Sequence, residues 1–401
     1  MPPDSRPSLV LLSGICALIV SMGIARFAYT PILPFMQGQV GMGDDLAGWL
    51  AGWNYFGYLS GVLLASRLKD LVLKDRLYRI GLVLAVLTTG MMAISSDALL
   101  WGVSRYLAGL SSAAGLLLGS GLILNWLIRH NQRSELGLHF TGVGLGIIVG
   151  AVVVEMSAPF LDWQGQWVAL TAVAMVLVVP AWIWLPHPSS GQPLQPHHSA
   201  HIREPNRKWL WLLQAAYFCA GFGYVINATF TVVITEQQPA LQGQGVLMWV
   251  LVGAAAAPAA LVWDRVARRV GYITALKFAF LLQIVGILLP VFDARLIAAV
   301  LSALLFGATF IGIVSLVLTM VGLLYPAHPA QIMAKLTLGY SVSQIVGPIV
   351  AGEAAEATGT FNGSLMLAGV LMALGLVCLQ LMSRYDTTRA QPSGAGSPPT
   401  R

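Results

Sequence analysis

Residues 9–36 form an apolar run of 28 residues that carries a single charge, Arg26. About 20 such residues cross the hydrocarbon layer of a bilayer as a helix. With no water to satisfy the backbone there, only helices and closed barrels span it. The run is too long and too continuous for a barrel strand, which alternates apolar and polar residues over about ten positions. Similar runs follow along the whole chain, and only 9% of its residues are charged, against about 25% in a soluble domain. The fold class that follows is an all-α membrane protein.

About twelve spans can be drawn. The first six cover residues 9–36, 46–68, 77–95, 98–128, 136–161 and 167–185; the second six cover 209–234, 246–266, 272–292, 296–325, 332–354 and 363–382. The net charge of +6 gathers in alternate loops. Arg67, Lys69, Lys74, Arg76 and Arg79 follow span two, and Arg265, Arg268 and Arg269 follow span eight. The opposite loops hold Asp44, Asp45, Asp97, Asp162, Glu236, Asp293, Glu353 and Glu356. Basic loops stay on the cytoplasmic side. Both termini are therefore expected in the cytoplasm of a multi-pass inner-membrane protein, and the lipid bilayer, not nucleic acid, accounts for the positive charge.

The chain is expected to divide into an N-terminal six-helix bundle (1–185), a cytoplasmic linker rich in Pro, His and Ser (186–207), a C-terminal six-helix bundle (208–386) and a disordered tail (387–401). The halves read as a repeat. An offset of 198 carries Gly23 onto Gly221, Arg67 onto Arg265 and Gly109 onto Gly307; an offset of 197 carries Gly142 onto Gly339 and Gly150 onto Gly347. Parallel repeats of six spans place a substrate site near the midplane between them.

Three motifs resemble the major facilitator superfamily. Trp263-Asp264-Arg265-Val266-Ala267-Arg268-Arg269 is similar to its cytoplasmic loop motif, while the first-half counterpart, Ser66-Arg67-Leu68-Lys69, lacks the acid. Arg105-Tyr106-Leu107-Ala108-Gly109 resembles its Arg-x-x-x-Gly pattern in span four, and the glycine row Gly142, Gly144, Gly146, Gly150 its antiporter motif in span five. The stretch Gly23-Ile24-Ala25-Arg26-Phe27-Ala28-Tyr29-Thr30-Pro31, with Pro34 and Met36 after it, resembles the YbfB/YjiJ-like branch. The resemblance implies two six-helix bundles and a secondary transporter.

Deep charges are the first candidates for a site, because an ionised group in a span faces a cavity or a partner. A rise of about 1.5 Å per residue puts Arg26, Arg105 and Glu155 at similar depth. They are expected to meet in one substrate or proton site, with an Arg26–Glu155 pair and Glu155 as the proton carrier; a structural ion pair is the alternative. Tyr29, Asn54, Tyr217, Tyr224, Asn227, Trp249 and Gln344 offer polar or aromatic groups along the pathway, and His139 is a second proton candidate. Arg67, Asp264, Arg265, Arg268 and Arg269 are expected to form the gating loops, with Asp264 bonding the ends of neighbouring helices. Pro31 and Pro34 should bend span one, since neither donates a backbone hydrogen bond.

The glycines of span five lack a following Gly-Lys-Ser/Thr, so they read as close helix packing and not as a phosphate loop. His187, His197, His198 and His201 lack a ligand spacing, so no metal and no cofactor is expected. No paired carboxylates or nucleophile–base set appears, so enzyme activity is not expected. The expected function is alternating-access transport of a small organic solute by a monomer, coupled to protons, with export favoured over uptake of an organic anion. A sensor or assembly factor ranks last, because neither terminus is long enough for a soluble output domain.

Overall fold

The computed structural model describes residues 6–130, 132, 136–188, 207–325 and 329–385; it is all helical among them. The first long rod has three parts: α1 (Pro7–Leu18), a π-helical segment (Ile19–Phe27) and α2 (Tyr29–Val40). Then come α3 (Asp44–Arg67), α4 (Leu71–Met91), α5 (Ala98–Ala113), a short π-helical turn, α6 (Gly119–Arg129), α7 (Leu136–Ser157) and α8 (Trp163–Ile183). The second half holds α9 (Arg207–Glu236), α10 (Gly245–Ala256), α11 (Ala259–Val270), α12 (Tyr272–Phe292), α13 (Leu296–Leu324), α14 (Pro329–Thr358) and α15 (Asn362–Met382).

Among the described residues eight helices are long and apolar enough to cross a membrane, and nine if α10 and α11, bent by 44° at Pro258, count as one span. α3, α4 and α14 occupy the expected second, third and eleventh spans but are not among the eight. Side chains that point away from the bundle are apolar: Ile80, Leu87, Val176, Ile183, Ile297 and Val370 are all exposed. A surface of this kind belongs in lipid.

The helix ends explain several charges. Asp70 accepts from the amides of Val72 and Leu73, Asp97 from that of Leu100 at 2.9 Å, and Asp162 from that of Gly165 at 2.8 Å. Each caps the free N–H groups of a helix start.

The repeat is visible in the contacts. Ser104 Oγ donates to the Thr88 carbonyl at 2.7 Å, and Ser302 Oγ, 198 residues on, to the Gly286 carbonyl at 2.6 Å. A Cβ at Gly109 would collide with the Asn54 carbonyl oxygen, and one at Gly307 with the equivalent oxygen of Val252. Gly23 meets Gly146, and its equivalent Gly221 meets Ser343. The glycine row of α7 does pack helices closely: Gly142, Gly146 and Gly150 lie against α1, the π-helical segment and Ala28, while Gly144 lies against Gly253 and Ala257 of the other half.

The halves also join at the end away from Pro7 and Met382. Thr30 Oγ1 donates to the Ala228 carbonyl at 2.6 Å. The amide of Asp44 donates to Glu356 Oε2 at 2.8 Å, and Trp49 Nε1 to Glu353 Oε1 at 3.0 Å. Gly48 and Gly352 bring the backbones of α3 and α14 together, each against a carbonyl of the other helix, Pro348 and Asp44 respectively.

Candidate functional site

The π-helical segment carries Arg26 to the centre of the molecule. Such a segment holds one residue more per turn than an α-helix and is common at functional sites. Pro31 stands five residues after Arg26 and has no N–H, so it cannot bond the Arg26 carbonyl in the π pattern. Arg105 of α5 takes that place: its Nη1 donates to the Ala25 carbonyl at 3.0 Å and its Nη2 to the Arg26 carbonyl at 3.2 Å. Ser112 Oγ, further along α5, donates to the Ser21 carbonyl at 2.7 Å. Tyr29 lies under the Arg105 guanidinium, 4.5 Å from carbon to ring centre, and its hydroxyl donates to the Ala47 carbonyl. Asn54 Nδ2 donates to the Arg105 carbonyl at 2.9 Å. Arg105, Tyr29 and Asn54 thus hold the backbone that presents Arg26.

Arg26 itself is 4% exposed. Its guanidinium carbon lies 4.4 Å from the ring centre of Tyr55 and 4.5 Å from that of Tyr58, both on α3. Nε and Nη1 have no hydrogen-bond acceptor, and no carboxylate among the described residues lies within ion-pair distance. The other half faces it with rings. The Tyr55 hydroxyl is 3.5 Å from that of Tyr224 on α9. Tyr224 stacks on Phe310 at 5.2 Å and on Tyr340 at 6.3 Å; Tyr340 stacks on Tyr217 at 4.3 Å. Phe27 meets the edges of Trp249 and Phe310.

Glu155 does not join this group. It is exposed on α7, on the same side as exposed Val152 and Met156, and forms no ion pair with either arginine. The Arg26–Glu155 pair is therefore corrected: depth matched, but the helix face did not. Arg26 and Arg105 do come together, through the backbone.

A scan against family models matches residues 18–380 to one described as an uncharacterised MFS-type transporter, YbfB. The chain belongs to the YbfB family of major facilitator transporters. No curated protein sequence matches it. Among solved structures it is similar to the nucleoside transporter NupG, with a TM-score of 0.73 and 14% identity over 96% of this chain and 100% of that one. A point mutant of the same transporter gives 0.72 and 14%, over 93% and 99%. At that identity the likeness is one of fold. The family and the fold make this a non-enzymatic, multi-pass membrane transporter.

In this YbfB-type chain the remaining expected residues lie apart from Arg26 or on its rim. Asn227 and Gln344 are buried, each with a side-chain oxygen that has no partner. Asn227 also lines a small cavity with Thr231, Thr235, Gln238 and Ser302. Trp249 is buried with Nε1 unpartnered. His139 is fully buried; Nε2 lies 2.9 Å from Ser120 Oγ, and Nδ1 has no partner. Asp264 pairs with Arg268 of its own helix at 2.9 Å, instead of bonding a neighbouring helix. Arg265 reaches the Leu261 carbonyl at 3.5 Å, and Arg67, Arg268 and Arg269 are exposed. Of the linker histidines, His187 bonds buried Asp75 at 2.6 Å; His197, His198 and His201 lie outside the described residues. No group of three metal-ligating side chains occurs among the described residues.

Sequence reasoning missed Tyr55, Tyr58, Tyr340, Phe306 and Phe310. The available signal was their place in the same spans as the expected Asn54, Gln344 and Gly307.

Proposed function

We propose that this protein moves a small organic solute across the inner membrane by alternating access. Twelve spans form two six-helix halves, both termini are cytoplasmic, and the monomer is the working unit. The observation that carries the reading is the placement of Arg26: a caged charge where the two repeats meet, with the contacts of Asp44, Trp49, Glu353 and Glu356 closing one end of that seam. The seal of Asp44, Trp49, Glu353 and Glu356 would be the periplasmic gate, and Arg67, Asp264, Arg265, Arg268 and Arg269 would shape the cytoplasmic one. Proton coupling, expected at Glu155, passes to His139, which is buried and has a bare ring nitrogen. Export remains the favoured direction, with uptake of an organic anion as the alternative; in export an inward proton gradient should drive solute out.

The test uses distances between spin labels in lipid nanodiscs. One pair, at Gly38 and Asn362, reports the sealed end; another, at Lys69 and Arg269, reports the opposite end. Each pair should show two distances, and conditions that lengthen one should shorten the other. A single fixed distance at both ends under every condition would end the transport reading.

A further inference from the structure

The chain treats its three most deeply buried arginines differently. Arg79 bonds Asp75 and the carbonyls of Trp182 and Leu185. Arg105 bonds the carbonyls of Ala25 and Arg26. Arg26 has rings on both sides and no acceptor at Nε or Nη1. A guanidinium does not give up its proton in a protein. Burying it without an anion carries a large desolvation penalty, which rings over its faces offset only in part. The two structural arginines show that this fold can provide acceptors where it needs them. At Arg26, Nε and Nη1 are left for something the described residues do not supply.

We propose that Arg26 binds the carboxylate of an organic anion whose flat apolar part lies among the rings of the second half. This rests on the transport reading above and names its substrate class. A carboxylate matches a planar guanidinium with charge-assisted hydrogen bonds. The hydroxyls of Tyr55 and Tyr224, 3.5 Å apart, lie beside the Arg26 charge and can donate to the carboxylate oxygens. Across the seam, Tyr224, Phe306, Phe310 and Tyr340 lie within 16° to 23° of parallel in their stacked pairs. A flat group can stack on the face of such a ring row, since offset stacking is the favoured contact of aromatic rings. An amine is rejected twice: Arg26 repels it, and no described carboxylate stands within ion-pair reach of Arg26 to receive it.

Benzoate, benzamide and benzylamine share one ring and differ in charge. Purified protein in detergent should gain about 3 °C in melting temperature with saturating sodium benzoate, over a sodium chloride control. Benzamide and benzylamine should give no shift. Arg26→Gln should lose the benzoate response and melt at or above the unliganded wild type, because an unpaired charge is gone. Tyr340→Ala provides a second arm should Arg26→Gln not fold: it should weaken benzoate binding at least threefold and leave acetate binding unchanged. The proposal is overturned if benzoate gives no shift, if benzamide matches it, if Arg26→Gln still responds, or if Tyr340→Ala weakens acetate equally. Reciprocal spin-label distances without a benzoate response would remove the anion alone. A benzoate response with fixed distances would remove transport and leave the site.

Discussion

Arg105 is buried as deeply as Arg26, yet its two hydrogen bonds end on main-chain carbonyls. That makes it a positioning residue. Hydrogen bonds from a charged donor contribute about 1.5–3 kcal/mol each. Lysine keeps the charge but loses the planar fork that reaches two carbonyls at once. Arg105→Lys should therefore lower the affinity for benzoate about tenfold or more, while Arg26 itself is untouched; benzoate titrations by calorimetry on both proteins would measure it. Unchanged affinity would make Arg105 a bystander. Arg26 and Arg105 could be found in the sequence because charge in an apolar run is conspicuous. Their depth followed from the rise per residue, but Glu155 shows the limit of that argument: depth says nothing of which way a side chain points. Tyr55, Tyr58 and Phe310 were hidden because an aromatic residue in an apolar helix looks the same whether it faces a site, a neighbour or lipid.

At the scale of elements, the π-helical segment crosses α7 with Gly23 against Gly146. A Cβ on Gly146 would lie 2.7 Å from the Gly23 Cα, so one backbone would have to move. Gly146→Ala should destabilise the protein by about 1–3 kcal/mol, read as a lower melting temperature. Gly121, with open space around it, should accept the same change without loss. The start of α3 meets the acidic end of α14, and there the charge has a sign to work out. Partial burial pushes the Asp44 carboxyl above its ordinary range; the charges of Glu356 and Asp45 add to this, and the amide of Gln37 opposes it. Glu353, bonded to Trp49, faces the same seam. When the ends part, Glu356 leaves and the Asp44 carboxyl should return toward the ordinary carboxylate range. The sealed form then binds the proton more tightly, so its extra stability is present in acid and is lost as pH rises through the raised value. The Gly38–Asn362 label pair should shift toward the short distance between pH 7 and pH 4.5, and Asp44→Asn should remove most of that shift. A shift toward the long distance would reverse the assignment.

For the whole molecule, the repeat was legible because it needs only spacing: glycines recur at an offset of 198 or 197 where helices pack closely. The number of spans was less so. α3, α4 and α14 carry polar and small residues where they pack, which lowers their apolarity below that of lipid-facing helices. Reporter fusions after Arg203 and Arg389 should report cytoplasm, and one near Gly43 the periplasm; any reversal would change the span count. The same offset that matches backbones carries Arg26 onto Tyr224. Two copies of one frame therefore meet with the Arg26 charge on one side and the Tyr224 ring on the other, and no described carboxylate of the second copy pairs with that charge. An empty carrier must wall off the bare Arg26 charge each time it turns round, whereas a carrier holding an anion turns round with that charge paired. Return trips without cargo should be the slow step. In proteoliposomes loaded with unlabelled benzoate, entry of labelled benzoate should be several times faster than into empty ones, and Arg26→Gln should abolish the difference. Exchange of one anion for another should then outpace the net, proton-driven export proposed above.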